Sequence, residues 1–573
     1  MKQVHGLLAL MTASSAIGQG NPGFASDEFD GVDGLRLIGT ELSNFGAAVA
    51  GVGDINGDGI DDVAVGAPQA DPASGAEAGV TYIFFGQRGG FQATISADDL
   101  DGTNGFALIG EQGVRSGQAL DGGHDLDGDG RPEILIGAPR INGGGTNNAG
   151  GAYVFSPGTG PWPAVIDLAS PPAGTSVLRI NGVRGGPSAS PQERVGEAVA
   201  FAPDTNGDQV PEIVLVGRGL SGPEFGAYVV YGGLPISGSL SLGDLDGTNG
   251  FRAGGQDAGG GSGDGGRVSA AGLGDINGDG LGDIIVGNAR AIVTDPDLMV
   301  SGDFGAAYVI FGRQGPVPAE TSLNDLSQPV GFRLEGIATT GVGASVAGGD
   351  VTGDGIPDIL IGATGETFGG ANNAGVTYIV AGRDAGDAPF ADRVPLSAAG
   401  TVPFLGGPRG NDRSGRSIAV VGDVNGDQID DIVIGAFTAQ PMRTGRFFVI
   451  YPEDSAPLGG PLETTGRLTF AVFGPAQHAE LGSSVAAAGD FDDDGRADVI
   501  AGAPVASQAV ILLTECPATA DTNGDGALDP ADFTAWVIAF NAQAPACDQN
   551  RDGLCDPSDF NAWITNFNSG CGL

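Results

Sequence analysis

Basic residues are scarce in this 573-residue chain: 25 Lys and Arg stand against 70 Asp and Glu, a formal net charge of -45. Such a surface repels nucleic-acid phosphates and anionic lipid headgroups, so nucleic acid is excluded as a partner class. Histidine is scarcer still, at 3 residues. One of them, His5, falls in an N-terminal leader, and His124 and His478 read as ordinary turn residues. No Ser/His/Asp arrangement, nucleophile elbow or phosphate loop stands out, so no catalytic residue is assigned and no enzymatic activity is expected. The 4 cysteines (Cys516, Cys547, Cys555 and Cys571) all fall in the last 58 residues. An even count in a small exported segment implies two disulfides there, with three pairings open. Beyond the leader, no stretch reaches the roughly 18 apolar residues of a helical membrane span, and no transmembrane segment is expected.

What is abundant is glycine, 106 residues with no G-X-Y period, within a chain that is 41% hydrophobic. That combination predicts many tight turns around a large core rather than disorder or collagen. At the N-terminus, Met1-Lys2-Gln3-Val4-His5 leads into an apolar run from Gly6 to Ile17, with small residues at Ala16 and Gly18. This is the pattern of a signal peptide over residues 1–18, cleaved after Gly18. The expected location is secreted, extracellular or cell-surface associated.

Seven carboxylate-rich loops recur, beginning at Asp54, Asp125, Asp204, Asp275, Asp350, Asp423 and Asp490, at intervals of 71, 79, 71, 75, 73 and 67 residues. Each loop is preceded by a run of small and β-branched residues and followed by an apolar run ending in Gly, such as VAVGAP or ILIGAP. A Tyr/Phe/Val/Ile run and a fourth run, such as GFALIG or GFRLEG, complete the unit. Four short runs per unit are four strands. Seven such units predict an all-β fold, a seven-bladed β-propeller over residues 27–513, closed radially so that few strand edges are left open. A linear solenoid is the alternative, but each unit is too long for one coil. After the seventh loop only two strands remain, so GLRLIG at 34–39 is expected to supply the missing fourth strand of the seventh blade.

The loops follow D-x-[DNT]-x-D-x-x-x-[DE], with side-chain oxygens at positions one, three, five and nine and a main-chain carbonyl at seven. The candidate ligands of the first loop are Asp54, Asn56, Asp58, Ile60 and Asp62. Those of the second are Asp125, Asp127, Asp129, Arg131 and Glu133, and those of the third Asp204, Asn206, Asp208, Val210 and Glu212. The fourth offers Asp275, Asn277, Asp279, Leu281 and Asp283, and the fifth Asp350, Thr352, Asp354, Ile356 and Asp358. The sixth offers Asp423, Asn425, Asp427, Ile429 and Asp431, and the seventh Asp490, Asp492, Asp494, Arg496 and Asp498. An all-oxygen set without His or Cys suits Ca2+ rather than zinc or softer metals. Gln209 and Gln428 at position six, and Thr352 at position three, mark the three loops expected to bind most weakly.

These residues resemble the FG-GAP repeats of the integrin α-subunit head. Phe45-Gly46 and Gly66-Ala67-Pro68 carry the motif, and Gly137-Ala138-Pro139 and Gly502-Ala503-Pro504 repeat part of it. The resemblance implies a seven-bladed propeller with calcium hairpins on one face and protein binding through the other.

The last segment, 516–573, holds two further loops of twelve residues, 27 apart. Their candidate ligands are Asp521, Asn523, Asp525, Ala527 (through its carbonyl), Asp529 and Asp532, then Asp548, Asn550, Asp552, Leu554 (likewise), Asp556 and Asp559. Each leads into a helical apolar face, Phe533, Trp536, Val537 and Phe540 in the first and Phe560, Trp563, Ile564 and Phe567 in the second. This small α-helical duplicated module resembles a dockerin domain, which implies two more Ca2+ and a cohesin-like or cell-surface partner for the tail. The positions that dockerins use for cohesin hold Pro530-Ala531, Pro557-Ser558 and Val537-Ile538 here. The candidate ligands of the nine loops include 31 of the 70 acidic residues.

The leading functional reading is a calcium-stabilised propeller that binds an extracellular protein or polysaccharide, anchored or assembled through its tail. A polysaccharide lyase or hydrolase and a structural surface component are the alternatives.

Overall fold

The computed structural model describes residues 23–514 except 41, 73–74, 143–147, 184–192, 219–223, 257–267, 296–299, 339, 397–402, 426, 440–442, 453–459, 463–468 and 476–477. Beyond them it describes residues 522, 530–542, 544, 547, 555, 560 and 563. The expected leader and the candidate ligand residues of both tail loops other than Asp532 lie outside the described residues, as does the Asp532 side chain.

The run after each loop is apolar on both faces and therefore has to be covered on both sides. In blade 1 the strands Ala48–Gly53, Asp62–Ala67, Val80–Phe84 and Gly105–Ile109 pair antiparallel in chain order. Every residue of Asp62–Ala67 is buried. Six further five-stranded sheets repeat this order, giving a seven-bladed propeller. The seventh combines Ser484–Gly489, Asp498–Ala503 and Gln508–Leu512 with the N-terminal strand Gly34–Ile38, which pairs antiparallel with Gln508–Leu512. The leading segment thus closes the ring as the fourth strand of the seventh blade, the place expected for it.

Each blade also has a fifth strand, which the sequence did not reveal. In the connection from third to fourth strand, a short segment crosses to the preceding blade and pairs parallel with its outermost strand. Val165–Asp167 of blade 2 joins Gly105–Ile109 of blade 1, and Thr94–Ser96 of blade 1 joins Gly34–Ile38 in blade 7. Among the described residues no downstream segment takes this place in blade 6, and Gly23–Ala25 fills it, parallel to Thr469–Phe473. Residues 23–38 therefore act as the missing third-to-fourth connection of blade 7, supplied from the other end of the chain.

The core is divided into seven hydrophobic clusters, one between each pair of neighbouring blades. The cluster between blades 7 and 1 joins Leu35, Phe45, Val65 and Phe91 to Phe491, Ile500 and Ile511. Close approach at the interfaces between blades depends on glycine. A Cβ on Gly502 would lie 2.0 Å from the Gly46 carbonyl oxygen, and one on Gly66 would lie 2.1 Å from that of Gly117. The Gly of each Gly-Ala-Pro run therefore abuts the Gly that opens the next blade. The repeated DLDGTNG segments are turns: Asp101 accepts from Thr103 N–H at 2.8 Å, as Asp246 does from Thr248 N–H at 2.9 Å.

In the C-terminal segment one helix is described, Pro530–Ala542, along with a disulfide between Cys547 and Cys555. Cys516 and Cys571 lie outside the described residues. Trp536 and Trp563 are buried together, and their indole N–H groups donate to Cys547 O and Thr522 Oγ1. No helix among the described residues is long and apolar enough to cross a membrane.

Candidate metal centres

All seven nine-residue loops join the first strand of a blade to its second, so antiparallel pairing brings them to the same end of the ring. Within each loop the first carboxylate is a backbone anchor. In blade 1, Asp54 Oδ1 accepts from Gly57 and Asp58 N–H at 2.5 and 3.1 Å, and Oδ2 accepts from Gly59 N–H at 2.8 Å. The last of these bonds recurs in the other six loops at 2.7–2.9 Å, donated by Gly130, Gln209, Gly280, Gly355, Gln428 and Gly495. Position six is left-handed throughout, with φ of 90° at Gly59 and 67° and 70° at Gln209 and Gln428. Gly reaches that conformation freely, whereas Gln reaches it under strain.

The ninth residue is fully buried in every loop. Its carboxylate accepts from the N–H of position two: Ile55 to Asp62 at 3.1 Å, Leu126 to Glu133 at 2.6 Å and Thr205 to Glu212 at 2.8 Å. The same bond joins Ile276 to Asp283, Val351 to Asp358, Val424 to Asp431 and Phe491 to Asp498. In four blades the second oxygen accepts from the residue two places after the third strand, Gly86, Gly312, Gly382 or Thr514. Burial pushes the carboxyls of Asp62, Glu133, Glu212 and Asp431 up to about 8, those backbone N–H groups pulling the other way. Burial likewise raises Asp283 to about 7, Asp358 to about 6 and Asp498 well above the usual carboxylate range. A buried carboxyl so reluctant to ionise is one that a cation would relieve.

Three loops gather their acids within 4.8 Å: Asp125, Asp127 and Glu133; Asp204, Asp208 and Glu212; Asp490, Asp492 and Asp498. Among the described residues the loops of blades 1, 4, 5 and 6 form no triad that tight. The Gln209 loop, expected to be weak, is thus one of the three most compact, because Gln209 adopts the left-handed turn and leaves the carboxylates in place. Asn206 Nδ2 bridges Asp208 and Glu212 there at 3.1 and 2.9 Å. In the second loop Glu133 Oε1 is buried without a hydrogen-bond partner. An oxygen-only cluster with an unpartnered buried carboxylate oxygen fits a hard divalent cation.

The sequence also missed how the loops hold one another. Arg131 and Arg496 were singled out for their carbonyls, yet their guanidinium groups donate to Ile55 O at 2.9 Å and Val424 O at 3.0 Å in the preceding loops. Asp61 and Asp430, at position eight, accept from Asp490 and Asp350 N–H in neighbouring loops, each at 2.9 Å. Position eight has no place in a ligand pattern, and only the ring geometry reveals its part. His124 ends the strand Leu120–His124 rather than lying in a turn, with Nδ1 3.1 Å from Gly122 O.

A seven-bladed all-β ring with a rim of acidic hairpins defines the class. Four stretches, residues 45–84, 116–155, 342–380 and 481–513, match the FG-GAP repeat, and the chain carries these repeats in blades 1, 2, 5 and 7. It is similar to integrin alpha-5 of Xenopus laevis, 37% identical over 113 residues, 20% of this chain and 10% of that protein. It is also similar to integrin alpha-6 of Gallus gallus, 37% identical over 114 residues, 19% of this chain and 9% of that protein. Human integrin alpha-IIb is 35% identical over 114 residues, 20% of this chain and 10% of that protein. The matched stretch is about a tenth of the length of these relatives.

Proposed function

We propose that this protein is a secreted, calcium-binding β-propeller that binds an extracellular protein or glycan, with its C-terminal segment a dockerin-like anchor carrying two further Ca2+. The observation that carries this reading is the rim of seven in-phase, oxygen-only loops, each built on a buried ninth carboxylate. Calcium accepts six to eight oxygens at flexible geometry, which suits a set of side chains and one carbonyl better than magnesium's preference for retained water. When bound, the cation supplies positive charge that offsets the clustered carboxylates. The chain's own part is to hold each loop in register through the first and ninth residues and to leave the opposite end of the ring clear for a partner. Similarity to integrin α-subunits supports a binding role at a cell surface or in the extracellular space.

The described residues lining the axial channel include one carboxylate, Glu197, and no histidine. That favours binding over a paired acid and base at the channel. Immobilised full-length and tail-deleted protein, exposed to extracellular protein and polysaccharide fractions in calcium, test the assignment. Capture by both forms is expected. Retention lost with the tail alone would contradict binding through the propeller, and turnover of a polysaccharide would favour an enzyme.

A further inference from the structure

The first strands of all seven blades enclose an axial channel of about 410 Å³. Five arginines line it: Arg115 and Arg140 from blade 2, Arg194 and Arg218 from blade 3, and Arg416 from blade 6. Arg115, Arg194 and Arg416 lie just before first strands, while Arg218 ends a second strand and Arg140 follows one. Since the metal loops connect the far ends of those same strands, all five arginines belong to the opposite end of the ring. A chain with only 25 Lys and Arg places five of them around one opening.

The four arginines of blades 2 and 3 share two carboxylates. Glu77 serves both Arg115 and Arg140, the latter at 2.6 Å. Glu197 serves both Arg218, at 2.8 Å, and Arg194, at 3.8 Å. Arg416 sits over the Phe437 ring, 4.8 Å from its centroid. The four arginines of blades 2 and 3 are only 17–26% exposed, and the Nε atoms of Arg115 and Arg194 are buried without hydrogen-bond partners. Burial holds the Arg194 guanidinium below its usual value; Glu197 works against this, and crowding by Arg140, Arg218 and Arg115 adds to it. Four guanidinium groups packed around two carboxylates leave excess positive charge that calls for an anion, and the planar fork of arginine matches a carboxylate in a bidentate fashion.

We propose that this arginine-lined mouth binds a carboxylate side chain carried on an extended, acidic protein segment. The inference rests on the binding role proposed above and names its site and ligand chemistry. The walls decide between a protein and an acidic glycan. They are Ala, Val and Ser rather than aromatic rings on which a sugar would stack. The innermost strands are sheet edges whose unpaired main-chain groups face the channel, as an extended backbone requires. The net negative charge does not forbid this, because screening over about 8 Å at physiological ionic strength leaves the local arginines dominant at contact.

The test is fluorescence anisotropy of the full chain in calcium buffer with a labelled Glu-rich peptide, its Gln counterpart and a labelled sulfated polysaccharide. The Glu peptide should bind at least about ten-fold tighter than the Gln peptide, and more weakly as salt rises. Arg194→Gln/Arg218→Gln and Arg115→Gln/Arg140→Gln should each weaken it by about ten-fold or more, with melting temperature as the folding control. If either pair fails to fold, Arg→Lys at the same positions keeps the charge but loses the fork and should still weaken binding. Equal binding of both peptides, no binding of the Glu peptide, or variants that bind as the parent does would overturn the proposal. Binding of the sulfated polysaccharide alone would overturn the choice of a protein segment. Any of these outcomes, with capture of an extracellular partner retained, removes this site and leaves the general binding reading standing; loss of both removes that reading too.

Discussion

At the residue scale, a methyl group at Gly502 would meet the Gly46 carbonyl at 2.0 Å, against backbone that has little room to move. Gly502→Ala should therefore destabilise the ring by about 1–3 kcal/mol, read as a lower midpoint in thermal or denaturant unfolding. Gln209→Gly acts in the other direction: relieving a left-handed φ of 67° should stabilise the protein by about 1 kcal/mol in the same measurement. The ninth carboxyls predict a pH response. Those of Asp62, Glu133, Glu212 and Asp431 stand at about 8 in the folded chain, above their ordinary unfolded values. A raised folded value contributes stability that is full below the unfolded value and lost as pH rises through the folded one. Protein stripped of cations should thus melt lower at pH 9 than at pH 6. Cation loading at pH 6 should release protons, detectable as calorimetric heats that differ between buffers of different ionisation enthalpy.

At the scale of elements, the N-terminal segment does two separable jobs. Gly34–Ile38 is an inner member of the blade 7 sheet, paired on both sides, whereas Gly23–Ala25 is an outer strap on blade 6. Removing residues 23–28 should lower the melting temperature modestly, and removing residues 23–38 should lower it far more by opening the ring. Equal effects would place closure elsewhere. The four main strands were legible because the unit repeats seven times in phase, with runs rich in small, β-branched and aromatic residues bounded by Gly, Pro or Asn. The straps were not: Thr94–Ser96, Glu320–Ser322 and Gly460–Pro461 are two or three residues long, too short for any periodicity. Their pairing is also parallel and non-local, so nothing nearby in the chain announces it.

For the whole molecule, the seven loops were legible because their oxygen-bearing residues recur at a fixed local spacing. The arginine mouth was not, because Arg115, Arg140, Arg194, Arg218 and Arg416 are scattered over three blades and meet only after the ring closes. The two ends of the ring are therefore chemically opposite, acidic hairpins at one and guanidinium groups at the other. Much of the -45 net charge is accounted for by the first of these and by the tail loops. Seven interfaces, each with its own hydrophobic cluster, hold the ring together, and contacts such as those of Arg131 and Asp61 tie neighbouring acidic loops across the interfaces. Cation binding at one loop should thus stiffen its neighbours. The most direct measurement is isothermal titration of calcium into chelator-stripped full-length protein, with the melting temperature followed alongside. The account predicts binding at several sites and a large rise in melting temperature as they fill; no binding heat together with an unchanged melt would contradict it.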